Sequence, residues 1–144
     1  METAEMLREI DQIGRLKSNY FYFLDTKQWN RWRDEVFTAD ALMSLPGTEL
    51  ELVGREAIID FVAKALDGVV SVHHGHQPVI DIEGPASAKG RWAMEDVLLF
   101  PKDHHSGTNG RVHGYGFYHE DYVRQAGGWR IARLVLTRLH FGPL

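Results

Sequence analysis

The 144-residue chain contains no cysteine. That excludes thiolate zinc sites, iron-sulfur clusters, thiol nucleophiles and disulfides, and it accords with a reducing compartment. Long apolar runs are also missing. No window approaches the roughly 20 apolar residues of a membrane span, and the opening METAEMLREIDQIG carries charges where a signal peptide would be apolar. These features predict a cytoplasmic protein that engages no membrane. Charge of one sign is not gathered into blocks either: the net charge is −4 with interspersed signs, and there is no basic tract or RNA-binding signature, so nucleic acid is not the expected partner. Neither a dinucleotide fingerprint nor a P-loop occurs, so no nucleotide cofactor is implied.

What is present fits one soluble globular domain over residues 1–144: 44% of residues are hydrophobic and 25% charged. A domain of this size buries roughly 70% of the surface its unfolded chain would expose, and needs no covalent staple. Met6, Ile10, Ile13, Lys17, Tyr20 and Leu24 recur at spacings of four and three, which predicts an amphipathic helix from residue 3 to about 25. A shorter helix holds Trp29 and Trp32. DALMSL and ELELV flank Pro46-Gly47 as two short strands, and GREAIIDFVAKALDG returns to helical period with Gly68 beyond its end. From Val69 onward, Gly84-Pro85, the polar stretch KDHHSGTNG and Gly127-Gly128 separate four long strand-like runs. Helices first and strands afterwards predict an α+β fold: a curved antiparallel sheet wrapped around the long N-terminal helix.

Four residues stand where their chemistry is awkward. In ASAKGRWAMEDVLLF, one alternating row reads Trp92, Met94, Asp96, Leu98, Phe100, so Asp96 falls on the apolar face, where an unpaired carboxylate costs several kcal/mol. Ala132, Leu134, Leu136 and Arg138 share a row of the last strand, which makes Arg138 the natural partner of Asp96. Asp25 ends the first helix, where the macrodipole disfavours negative charge; a histidine hydrogen-bonded to it would hold it there and make a general base. Tyr20 lies on the buried stripe of the same helix, and a buried phenol usually finds a hydrogen-bond partner.

The histidines of VHHGHQPVIDI are harder to assign. Strict alternation from Ile80 and Ile82 turns His74 and His76 inward, yet Gly75 and Pro78 commonly mark a bulge, which reverses the parity upstream of it. The row of His73 is therefore open on pattern alone. A chelating H-x-H of the cupin kind wants a glutamate shortly beyond the second histidine and an all-β chain. Glu83 lies seven positions on and the first half is helical, so no metal is expected. His104 and His105 sit in a polar turn and read as solvated, while His113 and His119 share a row with Tyr115 and Phe117 and could border a pocket.

The segments NYFYFLDTKQW, VHHGHQPVIDIEGPASAKGRWAMEDVLLF and HGYGFYHEDYVRQAGGWRIARLVLTRL resemble the SnoaL-like branch of the nuclear transport factor 2-like superfamily, over nearly the whole chain. Within it the resemblance is closest to bile-acid 7α-dehydratase, and more distant to scytalone dehydratase, hexachlorocyclohexane dehydrochlorinase and ketosteroid isomerase. It implies a cone-shaped fold, with helices closing an apolar cavity over the sheet. The dehydratase's tyrosine and aspartate fall on Tyr20 and Asp25, its catalytic histidine on His73, its second aspartate on Asp96, and its last-strand arginine on Arg138. Following it places His73 inward. Where that enzyme has a second tyrosine on its first strand, this chain has Leu45.

The resemblance implies a lyase or isomerase, with no cofactor, acting on an apolar hydroxy or keto compound of steroid-like or polycyclic type. Two alternatives stand beside it: a polyketide cyclase using Asp96 as acid-base, and a small-molecule binding module without turnover. A homo-oligomer is expected, because Trp29, Trp32, Trp92 and Trp129 exceed what one small core absorbs and an open sheet needs covering. The resemblance favours a trimer over a dimer.

Overall fold

A computed structural model describes all residues, 1–144. Its elements are α1 (Thr3–Asp25), α2 (Trp29–Val36), β1 (Phe37–Ser44), β2 (Glu51–Val53), α3 (Arg55–Ala65), β3 (Val70–Gly84), β4 (Ser87–Phe100), β5 (Gly110–Gln125) and β6 (Gly128–Gly142). In α1, Ile13, Leu16, Tyr20, Phe23 and Leu24 form the buried stripe, as the spacing requires. Lys27 takes a left-handed conformation (φ 56°) just beyond, so the chain turns and α2 folds back with Trp32 and Val36 buried one turn apart.

β3 to β6 form an antiparallel meander, each strand paired with the next. The cone, with its wholly antiparallel wrapped sheet, is not what forms. The strand order is β2-β1-β6-β5-β4-β3, the edge strands β2 and β3 do not meet, and the sheet is neither closed nor strongly curled. Moreover, β1 runs parallel to β6, making the sheet mixed. Alternation and turn residues report only hairpin neighbours, whereas the pairing of β1 with β6 spans most of the chain and has no hairpin to set its direction.

The helices lie on one face. α1 packs on β3 and β6, while α3 packs on β1. Between helices and sheet lies a core that takes up Trp32, Trp92 and Trp129, so the expected surplus of tryptophan does not exist. No helix is long and apolar enough to cross a membrane.

Candidate active site

The parity of β3 is decided at Gln77, a non-glycine residue at φ 48°. Register between β3 and β4 shifts between His76 and Val79 there, so the strand carries a bulge. Upstream of it His73 turns inward, opposite Asp96, while His74 and His76 are exposed.

Asp25, at the end of α1, faces the same stretch of β3. Its carboxylate accepts from Ser71 Oγ at 2.9 Å and from the His73 backbone N–H at 2.8 Å, and His73 Nδ1 lies 2.7 Å from Oδ1. Those donors supply what the helix terminus cannot. A carboxylate that can only accept fixes the proton on Nδ1 and leaves the Nε2 lone pair free. Nε2 lies 3.7 Å from Asp96 Oδ2, so the imidazole has a carboxylate at each nitrogen.

Asp96 is buried on the apolar row of β4, and Arg138 from β6 meets it with two parallel hydrogen bonds, Nη1 to Oδ1 at 2.9 Å and Nη2 to Oδ2 at 3.0 Å. β5 runs between these two strands. The guanidinium reaches across it because Gly114, opposite Asp96, has no side chain; a Cβ there would collide with both Asp96 Oδ1 and Arg138 Nη1.

Tyr20 sits beside these groups, buried on α1. Its ring packs edge-on against Tyr118 of β5, 5.8 Å between centroids. Burial, before any neighbouring charge, pushes both phenols well above their ordinary range, so each remains a proton donor at all working pH values. Tyr118 was not singled out from the sequence, although it alternates with Glu120 and Tyr122. Beneath the two phenols Lys17 Nζ lies 3.7 and 3.6 Å from the Tyr20 and Tyr118 ring centroids, and 2.7 Å from Glu120 Oε2. Tyr122 donates to Glu120 at 2.7 Å and accepts from Trp92 Nε1 at 2.9 Å. Burial pushes the Lys17 ammonium down to about 8 even though Glu120 opposes the shift. The lysine on the helix stripe and the glutamate in a tyrosine row were the available signals.

Tyr20, His73, Asp96, Tyr118 and Arg138 all line one cavity of about 870 Å³, large enough for a drug-sized or polycyclic molecule. Its remaining wall is largely apolar, with Met43, Leu45, Phe61, Leu98, Leu134 and Phe100 among the lining side chains. The five residues singled out from the sequence thus meet except for Asp25, which reaches the cavity through His73. Leu45 offers no phenol; a second tyrosine comes instead from β5 as Tyr118. His104 also lines the cavity, and its expected solvation is incorrect: it is buried, with Nδ1 2.6 Å from Ser106 Oγ and Nε2 3.0 Å from the Ala65 carbonyl. His105 is exposed as expected. His113 and His119 do not border the cavity, because the inward row of β5 is Gly114, Gly116, Tyr118 and Glu120.

Residues 5–135 match the SnoaL-like domain family. The chain belongs to this family. As a SnoaL-like protein it is similar in fold to a hexachlorocyclohexane dehydrochlorinase from Novosphingobium barchaimii, at 20% identity and a TM-score of 0.81, over 99% of this chain and 94% of the other. A protein from Novosphingobium aromaticivorans provisionally named a scytalone dehydratase matches at 20% identity and a TM-score of 0.84, covering 99% and 92% of the two chains. A Mycobacterium tuberculosis protein of unknown function matches at 24% identity and 0.80, covering 96% and 76%. Identities this low establish a shared fold for the SnoaL-like chain, and the chemistry must be argued from the site.

Proposed function

We propose that this SnoaL-like protein is a cofactor-free, dehydratase-type lyase or isomerase, taking an apolar hydroxy or keto substrate of steroid-like or polycyclic dimensions. The observation that carries the reading is the line Asp25–His73–Asp96 at the wall of an apolar cavity. Asp25 orients the ring, and Nε2 takes a proton from a carbon next to a carbonyl or next to the carbon bearing the leaving group. Positive charge then developing on the imidazole is met by a carboxylate on either side. The C–H electrons form the new double bond. The leaving hydroxide takes a proton back from the imidazolium and departs as water, or, in an isomerisation, that proton returns to a different carbon.

Tyr20, kept protonated by burial, donates to the carbonyl or leaving oxygen, where negative charge builds. Asp96 and Arg138 neutralise each other and fix the polar end of an otherwise apolar space. This chemistry requires a general base and a donor to oxygen, the roles assigned to His73 and Tyr20. The cyclase alternative needs Asp96 free to exchange protons, whereas both of its oxygens are engaged by Arg138. A binding module without turnover gains nothing from an oriented imidazole with an open nitrogen.

The test is a panel of steroid and aromatic ketols, followed for a new ultraviolet-absorbing enone or aromatic product. His73→Ala and Asp25→Ala should each lower turnover at least ~100-fold with the fold intact, the scale of losing a positioned acid-base group. Undiminished turnover in His73→Ala would refute the assignment.

A further inference from the structure

The bulge that turns His73 inward has a second effect: it puts His74 and His76 on the exposed side of β3, two residues apart. In the β3–β4 register His74 stands opposite Glu95. Its Nδ1 lies 3.5 Å from Glu95 Oε1, and His76 Nε2 lies 3.1 Å from the same oxygen. One donor atom from each of the three residues falls within 4.8 Å of the other two. A tetrahedral ion with ligand bonds of roughly 2.0–2.1 Å holds its donors about 3.3 Å apart. The three side chains therefore already stand near chelating geometry, and small rotations about their χ angles complete it.

We propose that His74, His76 and Glu95 bind one late first-row divalent cation of the zinc, nickel or copper class, with solvent completing the coordination, outside the catalytic cavity. Two imidazoles and one carboxylate suit these ions, whereas magnesium and calcium favour sets made wholly of oxygen. The expectation of no metal considered ligands along a single strand and looked to Glu83. The third ligand comes instead from the neighbouring strand, 19 residues beyond His76.

The three side chains do not line the large apolar cavity, since His73 points to the other side of the strand. Binding to it ties the edge strand β3 to β4 and stabilises the folded state by mass action. Untagged protein freed of metal with chelator is titrated with zinc chloride by calorimetry, and with cobalt chloride by visible absorption, which is intense for four-coordinate cobalt. One saturable equivalent is expected. His74→Ala, His76→Ala and Glu95→Gln should each weaken it at least ~10-fold, the lower end of what loss of even an outer-shell partner costs. His113→Ala, at a surface histidine paired with Arg111, should bind like the wild type. Zinc should raise the melting temperature of the wild type and leave that of His74→Ala/His76→Ala unchanged; in chelator the two should melt alike, because the replaced side chains are exposed. Absence of saturable binding, or wild-type affinity in the double variant, overturns the proposal.

Discussion

Replacing Lys17 by Met tests the energetics of the core directly. Lys17 and Glu120 have no side-chain exposure, and 2.7 Å separates Nζ from Oε2. Removing one member of such a pair strands the other charge, at a cost of about 3–5 kcal/mol. Tyr122 still donates to Glu120, which favours the lower half of that range, while loss of the ammonium between the Tyr20 and Tyr118 rings removes up to about 2 kcal/mol more. For a domain of this size each kcal/mol moves the melting temperature by roughly 2–4 °C, so a loss of about 3–6 kcal/mol should make Lys17→Met melt roughly 6–24 °C below the wild type. Lys17→Met/Glu120→Gln should recover most of the loss, because no charge is stranded and the amide oxygen still accepts from Tyr122. The pH profile provides a second readout. Folding lowers the Lys17 ammonium from 10.5 to about 8, so the folded state releases this proton first, and the group's contribution to stability rises as pH climbs from about 8 toward 10.5. That rise, at most about 3 kcal/mol, should vanish in Lys17→Met. Urea unfolding of the single and double variants at pH 7 and pH 9.5 is the assay. A Lys17→Met cost under about 1 kcal/mol, or a double variant no more stable than the single, would show that the pair is not what the geometry implies.

Asp96→Asn and Arg138→Met form a second cycle: each alone should destabilise, and the two together should restore much of the loss; a coupling energy near zero by thermal unfolding would contradict the two-hydrogen-bond contact. The chain should also assemble as a homo-oligomer, a trimer before a dimer. The reason now rests on exposed apolar side chains such as Val70 and Val72 on the edge strand β3, Leu99 on the neighbouring β4, and Leu139 and Phe141 at the end of β6, rather than on the buried tryptophans. Light scattering at micromolar concentration checks it, and a monomer would refute it.

The elements and the awkward acids were legible in the sequence for different reasons. A period of 3.6 or 2 survives in any context, so α1, α3 and the buried row of β4 could be read directly, and Asp96 could be placed before any partner was known. Asp25 was legible as a conflict, a charge at the wrong end of a helix, and Ser71 and His73 resolve it. The row of His73 was not legible, because a single left-handed residue, Gln77, decides it, and nothing in GHQPV fixes which residue takes that conformation. The mixed sheet was hidden because the pairing of β1 with β6 joins segments far apart in the chain. Gly114 was readable in principle. A glycine inside a long strand marks a place where something crosses, and here Arg138 crosses there.

The buried charges, taken together, narrow the choice of proton acceptor. Glu9 is held by Arg124 and by the Trp129 indole, Glu120 by Lys17 and Tyr122, and Asp96 by both arms of Arg138. Each of these carboxylates is committed, and taking a proton would break an arrangement worth several kcal/mol. His104 has both ring nitrogens engaged, and His105 is exposed. His73 differs in that the one short hydrogen bond of its ring goes through Nδ1, while Nε2, 3.7 Å from an oxygen already taken by Arg138, keeps its lone pair at the cavity. A core that neutralises its other buried charges and leaves that nitrogen open is arranged for proton transfer at one atom. The same arrangement explains why Tyr20 and Tyr118 must stay protonated. With a phenolate beside Glu120 and Asp96, the cavity would hold uncompensated negative charge, and the substrate oxygen would lose its donor.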